Sequence, residues 1–318
     1  MTVSRVINGH AKVAETTRAR VHAAMDTLDY RPNLLARGLA SGRSHSIGVL
    51  TVDTTLFGPS AALRGIETAA SARGYSVTIT HLVDPDQTAV AQGASLLRSR
   101  SSDGVILLQP LISEVEPGEA SGTGDLPPLV AIHAGNPGPY PVVSVDQRLG
   151  ARLATEHLLG LGHKTVWHIA GPSVWYEGIE RVVGWQDALA AAGAEVPPVV
   201  HGDWSAASGY RAAREVLGRQ GVTAIFVGND SMTLGVLHAM HELGLRCPED
   251  VSLVGFDDYP EAEFFSPGLT TIRQDFDEIG RLSVAVLLDL IEKNVASPQH
   301  LVLEPQLVVR ASTAPPSR

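Results

Sequence analysis

Two pairs of polar residues stand directly behind apolar, β-forming runs: Asn229-Asp230 follows TAIFVG (223–228) and Asp257-Asp258 follows VSLVGF (251–256). If those runs are strands of an open α/β sheet, all four residues lie beyond the carboxyl ends of strands, where such sheets bind ligands. Planar polar side chains that bond adjacent hydroxyls, with aromatic rings over C–H faces, are the means by which sugars are recognised. A carboxylate pair such as Asp230 and Asp257 is also what a glycosidase needs on either side of its bond, but fixed carboxylates serve plain sugar binding equally well. Other catalytic patterns are missing. Neither GPSAA (58–62) nor GPSVW (171–175) fits the nucleophile elbow, and no G-x-G-x-x-G or phosphate-loop spacing occurs. The twelve histidines are scattered and Cys247 is the single cysteine, so neither a metal site nor any cofactor is expected.

Such residues need rigid elements beneath them. From Ile47 onward short β-rich runs alternate with helix-length segments, the pattern of βαβ units and a parallel sheet. The runs are IGVLTV (47–52), YSVTIT (75–80), GVILL (104–108), LVAIH (129–133), TVWHIA (165–170), PPVVHG (197–202), TAIFVG and VSLVGF. Amphipathic helices are expected over 147–161, 178–192 and 231–243, with a late helix over 276–293. That is too many units for one sheet of ordinary size, so two α/β subdomains are predicted. Ahead of them, 2–7 and 15–28 read as short helices, the second carrying Val21, Ala24, Met25 and Leu28 on one face. A marginal helix is expected over 34–40, where Gly38 weakens it, followed by a linker at 41–44. The Pro-rich end reads as a frayed tail.

Composition agrees with a globular chain of 318 residues, 44% hydrophobic and 18% charged, with no run long enough to span a bilayer and no apolar signal-peptide core. A cytoplasmic location and no membrane partner are expected. The net charge of −10 hides a split: residues 1–46 hold seven basic groups against three acidic ones, a net +4, so the remainder carries −14. Only the head is suited to phosphates, and the acidic body is held off them.

The motifs TVSRVING (2–9), TRARV (17–21), LDYRPNLLARGLASGRSHSIGV (28–49), DQRLGARLATEHLLGLGH (146–163), GDWSAASGY (202–210), FVGNDSMTLGVL (226–237), VSLVGFDD (251–258) and LTTIRQDFDEIG (269–280) occur in an order that resembles the lactose-repressor/galactose-repressor (LacI/GalR) family of bacterial transcription regulators. The resemblance covers nearly the whole chain and is most like the lactose-repressor branch. It implies an α/β core of two doubly wound subdomains of the periplasmic-binding-protein type, preceded by a small all-α head with part of a helix-turn-helix and a hinge helix. The boundaries expected are 1–30 for the head, 31–46 for hinge and linker, 47–145 plus 275–308 for the first subdomain, 146–274 for the second and 309–318 for the tail. The family's first DNA-binding helix, a stretch like DVAxxAGVS, is missing before Met1. The natural start is therefore expected upstream, the other reading being a sugar sensor without DNA-binding activity.

By this resemblance the partner of the head is operator DNA. Thr2, Ser4 and Arg5 fall on the recognition helix and Asn8 near the phosphates; an arginine can donate two bonds to guanine O6 and N7. A solvated surface arginine is the competing reading of Arg5. Tyr30, Arg31 and Asn33 match backbone contacts at the start of the hinge, and Leu39 matches a wedge between minor-groove base steps, with simple helix packing as its alternative. In the core, the resemblance makes Asn229 and Asp257 the hydroxyl-binding pair, with Asp230 and Asp258 structural, as helix cap and loop acceptor. Arg181 matches a ligand-clamping arginine; an ion pair with Glu177 or Glu180 on its own helix is the competing reading. Trp204 matches a stacking tryptophan, Gln274 and Phe276 match residues at a subdomain crossover, and His133, Gln109, Val52 and Leu56 match the first-subdomain wall. His133 stands where that branch has an acidic residue, and Trp175-Tyr176-Glu177 replaces small residues. The effector class expected is a sugar of open identity. No heptad helix follows Val309–Thr313, so a homodimer is expected and not a tetramer.

Overall fold

The computed structural model describes residues 2–7, 13–30, 43–82, 87–108, 127–132, 140–293 and 300–317. They form two units, Met1–His45 and Ser46–Arg318. In the first, α1 (Thr2–Ile7) packs against α2 (Glu15–Thr27) and buries Val6. The apolar stripe of α2 remains open among the described residues: Val21 and Met25 are half-buried, Ala24 and Leu28 are exposed, and all four line a groove with Val3 and Tyr30. The expected hinge helix at 34–40 lies outside the described residues.

The second unit holds two six-stranded sheets. The first contains β1 (Ser46–Thr51), β2 (Ser76–His81), β3 (Gly104–Leu108), β4 (Leu129–Ile132), β5 (Val142–Val145) and β11 (His300–Leu303), in the order β11-β5-β4-β3-β1-β2, with every pairing parallel. The second contains β6 (Trp167–Ala170), β7 (Val200–His201), β8 (Ala224–Val227), β9 (Ser252–Asp257), β10 (Thr270–Arg273) and β12 (Gln306–Val308), in the order β12-β10-β9-β8-β6-β7. The central strands of both are buried and largely apolar, as a parallel sheet covered by helices requires, while the outer strands β2, β7, β11 and β12 are partly exposed. The helices are α3 (Phe57–Ala72), α4 (Gln87–Ser99), α5 (Gln147–Gly160), α6 (Tyr176–Ala191), α7 (Ala206–Leu217), α8 (Asp230–Glu242) and α9 (Phe276–Lys293). Four of them start on a side-chain cap: Asp146 accepts from the Leu149 amide, Ser205 from Ser208, Asn229 from Met232 and Asp275 from Glu278. Each such cap contributes about 1 kcal/mol.

The chain crosses between lobes at Asp146, at Gln274–Asp275 and at Glu304–Pro305. The returning helix α9 packs on α3 at a backbone-to-backbone contact: a Cβ on Gly280 would stand 2.4 Å from the carbonyl carbon of Gly65. Two glycines there let the helices approach closely enough to lock Phe276, the first residue of α9, into the first-lobe core.

Two expectations about the C-terminal part are corrected. The segment 275–308 does not belong wholly to the first lobe, because β12 pairs antiparallel with β10 of the second. Pro305 ends β11, and the following residues find their partners across the crossing. Nor is the end frayed. Ser312 is fully buried; its hydroxyl accepts from the Thr270 amide and donates to the Leu253 carbonyl, while Arg310 donates to Asp258 and to the Leu269 carbonyl. Ala314 exchanges two bonds with the Ser252 hydroxyl. Deleting residues 310–318 strands the Thr270 and Leu253 amides, each unmet buried group costing roughly 1–3 kcal/mol, and takes one of its two cations from Asp258. The truncated protein is expected to lose at least about 3 kcal/mol in urea unfolding; an unchanged midpoint would show that the segment only rests on the lobe.

Candidate functional site

The carboxyl ends of β6, β8 and β9 meet the start of α6 and the Gln274–Asp275 crossover around a cavity. Among the described residues the first lobe gives it only apolar wall: Leu56, Phe57, Gly58 and Pro59 at the start of α3, with Leu108 and Ile132 from β3 and β4. The second lobe brings Trp175, Glu177, Arg181, Trp204, Asn229, Asp257 and Tyr259, and the crossover brings Gln274 and Phe276. The cavity is amphipathic, with its polar groups at the second lobe and the crossover.

Arg181, only 4% exposed, organises the polar side. Its Nε donates to Gln147 Oε1 at 2.9 Å, Nη1 donates to the Gly228 carbonyl, and Nη2 lies 3.5 Å from Asp257 Oδ1. Gln147 Nε2 donates to Gln274 Oε1 at 2.8 Å, and Gln274 Nε2 donates to Asp257 Oδ1 at 2.6 Å. A closed ring of four side chains results, joining α5, α6, β9 and the crossover. The guanidinium sits 3.7 Å over the Phe256 ring and 5.3 Å from Trp204. Its ion-pair partner is thus Asp257, not a glutamate of its own helix. Burial pushes the Asp257 carboxyl up to about 6, held back by Arg181 and by the bond from Gln274.

Trp204, Asp257 and Asp258 have φ of 70°, 103° and 56°, a left-handed region that side chains other than glycine rarely occupy. Three such residues around one cavity mark it as a place where the fold holds strained backbone for use. The turn at 257–258 is clamped by two cations on Asp258, Arg273 at 2.6 Å and Arg310 at 2.7 Å. The Trp204 indole lies against Gly171, where a Cβ would come within 2.0–2.4 Å of the ring, so the IAGP turn needs a glycine there. Trp175 meets it edge-on at 6.0 Å. Phe57 meets Tyr259 at a 33° tilt with ring centroids 4.0 Å apart and Phe276 edge-on at 5.7 Å. This aromatic bridge runs from the first lobe to the second.

Of the residues named from sequence, Arg181, Trp204, Asn229, Asp257, Gln274, Phe276 and Leu56 come together in the cavity. Val52 follows β1 and is not part of the lining. His133 and Gln109 lie outside the described residues, as do Asn8, Arg31, Asn33 and Leu39. In the head, Thr2, Ser4 and Arg5 fall on α1, with Arg5 exposed, and Tyr30 stands exposed just past α2. The cap role falls on the other member of the polar pair: Asn229 caps α8 while lining the cavity, and Asp230, fully buried, is structural as an acceptor from the Thr271 hydroxyl and the Tyr259 amide. Asp258 is a loop acceptor, as expected. Sequence reasoning missed Gln147, Phe57 and Tyr259. Gln147 stands in the DQRLGAR motif, and Tyr259 stands two residues past Asp257.

Two lining atoms are left without a partner. Glu177 Oε2 and the Trp204 indole N–H are buried and unbonded. Burial pushes the Glu177 carboxyl up to about 8, against the pull of Arg181. The other buried ionisable groups have structural surroundings: His168 is stacked on Phe226 at 4.4 Å and pushed down to about 3 by burial, and the half-buried Cys247 thiol is pushed up to about 12. Among the described residues no group of three or more His, Cys, Asp or Glu could hold a metal ion, and no helix is long and apolar enough to cross a membrane.

Residues 1–33 match the pattern of bacterial regulatory proteins of the lacI family, and residues 155–313 match a periplasmic binding protein-like domain. The chain is 32% identical to the ribose operon repressor of Escherichia coli K12, covering 98% of this chain and 95% of that protein. It is 34% identical to the lactose operon repressor of the same strain, covering 99% and 88%. Its fold superimposes on a crystal structure of the lac repressor dimer bound to operator and the anti-inducer ONPF with a TM-score of 0.88 at 34% identity, covering 98% of this chain and 94% of that one.

Proposed function

Because the chain belongs to the lacI family of bacterial regulatory proteins, we propose that it is a ligand-responsive transcriptional repressor whose core cleft binds a sugar and whose paired heads bind operator DNA. The observation that carries this reading is the ring Arg181–Gln147–Gln274–Asp257, which borders the cleft and ties both of its polar crossover residues to its charged pair. Asp257, Asn229 and the guanidinium fork bond sugar hydroxyls, and Trp204 covers the C–H face. A sugar that prefers one setting of the two lobes shifts the protein toward that setting, and by linkage DNA and sugar then oppose each other to the same degree.

On the DNA side Thr2, Ser4 and Arg5 read the major groove, Asn8, Tyr30, Arg31 and Asn33 hold the backbone, and Leu39 is the minor-groove wedge. Two copies pair so that two heads meet a nearly palindromic site, in the cytoplasm where the operator is. The experiment is to select binding sites from a random duplex library, then follow a labelled site by fluorescence anisotropy with added sugars and salt. A steep fall of affinity with salt and release by one sugar are expected. An affinity indifferent to salt would leave a sugar sensor without DNA-binding activity.

One variant tests the cleft assignment. Asp257→Ala is expected to keep operator affinity within about twofold while weakening sugar binding by at least about tenfold, the loss for a charged hydrogen-bond partner. Equal sugar affinity in the variant would remove Asp257 from the site.

A further inference from the structure

We propose that Glu177 selects the effector, its carboxyl taking a hydrogen-bond donor of the ligand, either a hydroxyl or an ammonium group. This rests on the cleft being the effector site. Glu177 stands in the first turn of α6 and lines the cavity, yet its Oε2 is buried without any bond. A buried carboxyl oxygen with no partner is costly, and proteins keep one where something else is to supply the bond. The Arg181 guanidinium does not supply it: its bonds go to Gln147 and Gly228 and its ion pair to Asp257, and Oε2 stays unbonded. The first-lobe wall offers nothing polar among the described residues.

The Trp204 indole N–H is the second buried group left open on the same cavity. The site therefore presents one spare carboxyl, which accepts and, while it holds its proton, also donates, and one spare donor. A carbinol hydroxyl satisfies both, since it accepts and donates. An ammonium group satisfies the carboxyl alone, with the Trp175 and Trp204 rings as further favourable surroundings for a cation. The charged groups that act on Glu177 are Arg181 on its own helix and Asp257 beyond β9. In the empty cleft the carboxyl, raised to about 8, holds its proton at neutral pH. A neutral sugar leaves that proton in place, whereas an ammonium ligand displaces it.

The test is isothermal titration of the full chain at pH 7 with ribose, glucose and galactose and with the 2-amino-2-deoxy forms of the two hexoses. Each is run in two buffers of different ionisation enthalpy and repeated with Glu177→Ala, Glu177→Gln and Asp257→Ala. Glu177→Ala is expected to weaken the binding sugar by at least about tenfold with its fold intact, because Oε2 holds no other residue in place. If the donor is a hydroxyl, Glu177→Gln retains affinity and no proton is released. If it is an ammonium group, Glu177→Gln loses at least about tenfold and wild-type binding releases about one proton. Affinity within about twofold of wild type in Glu177→Ala, with Asp257→Ala impaired, overturns the role of Glu177 and leaves the effector site standing. Equal affinity in all variants overturns the effector-site reading itself.

Discussion

Arg181→Ala is expected to destabilise the protein by about 3–5 kcal/mol and to abolish the sugar response, the largest effect of any single substitution in the cleft. The argument is one of stranded partners. Arg181 is 4% exposed, so its removal lets in no bulk water to compensate. Asp257, also buried, loses its cation at 3.5 Å, the one ion-pair partner it has among the described residues, and retains the bond from Gln274. Gln147 Oε1 and the Gly228 carbonyl lose their donor, and Phe256 loses the guanidinium stacked 3.7 Å above it. Without the cation the Asp257 carboxyl rises above its present value of about 6 and protonates at neutral pH, which relieves part of the cost but removes the charged acceptor. Arg181→Lys keeps the charge but cannot present a planar fork to three acceptors, so it should recover stability better than the sugar response. Urea unfolding together with titration of the sugar measures both quantities. A loss under about 1 kcal/mol would mean that the ring is solvated in solution. Combining Arg181→Met with Asp257→Asn should cost less than the two separately, as it must for groups that compensate each other's burial.

Why Arg181 was legible while Gln147 was not follows from how each residue gets its partners. Asn229, Asp257 and Trp204 follow strands or stand in strand-end turns, a position that period and turn chemistry reveal locally. Arg181 is carried by the family resemblance, four residues ahead of Trp185. Gln147 and Gln274 are 127 residues apart, and Phe57 and Tyr259 are separated by some 200; each pair meets only because the chain crosses between lobes and back. No local pattern records such a meeting. The shift of the cap from Asp230 to Asn229 has a different cause. Both are good capping types, and which one caps depends on where the strand ends. Ending at Val227, with Gly228 next, puts Asn229 at the cap and Asp230 inside the first turn, aimed at Thr271 and Tyr259. The strands that escaped detection, β5, β10, β11 and β12, are three or four residues long. A four-residue strand in a parallel sheet has neither alternation nor length to distinguish it. The C-terminal segment looked like a tail because prolines and small polar residues make tails; here the same small residues fit against β9 and β10, where Ser312 has room to bond three backbone groups.

Glu177→Gln is expected to make the empty protein more stable above neutral pH, by on the order of a few kcal/mol, and to change it little in acid. The folded protein raises this carboxyl from 4.5 to about 8 through burial, so between those values the native state holds a proton that the unfolded chain has released. Unfolding then releases a proton, and stability falls as pH rises across that window. The contribution is fully present below about 4.5 and fully lost above about 8. Asp257 acts in the same direction between 3.8 and about 6, and it does so in both proteins, so it cancels in their difference. Glutamine has the shape of the protonated acid and no charge to lose. The difference between the two stability curves should therefore be flat in acid, climb between about 4.5 and 8, and level off beyond. Urea midpoints at pH 5, 7 and 8.5 resolve the three regions. Parallel curves would mean that Glu177 keeps an ordinary carboxylate pKa and its charge is solvated in the cleft; an ammonium ligand, by pairing with the ionised form, should flatten the wild-type slope where a neutral sugar leaves it unchanged.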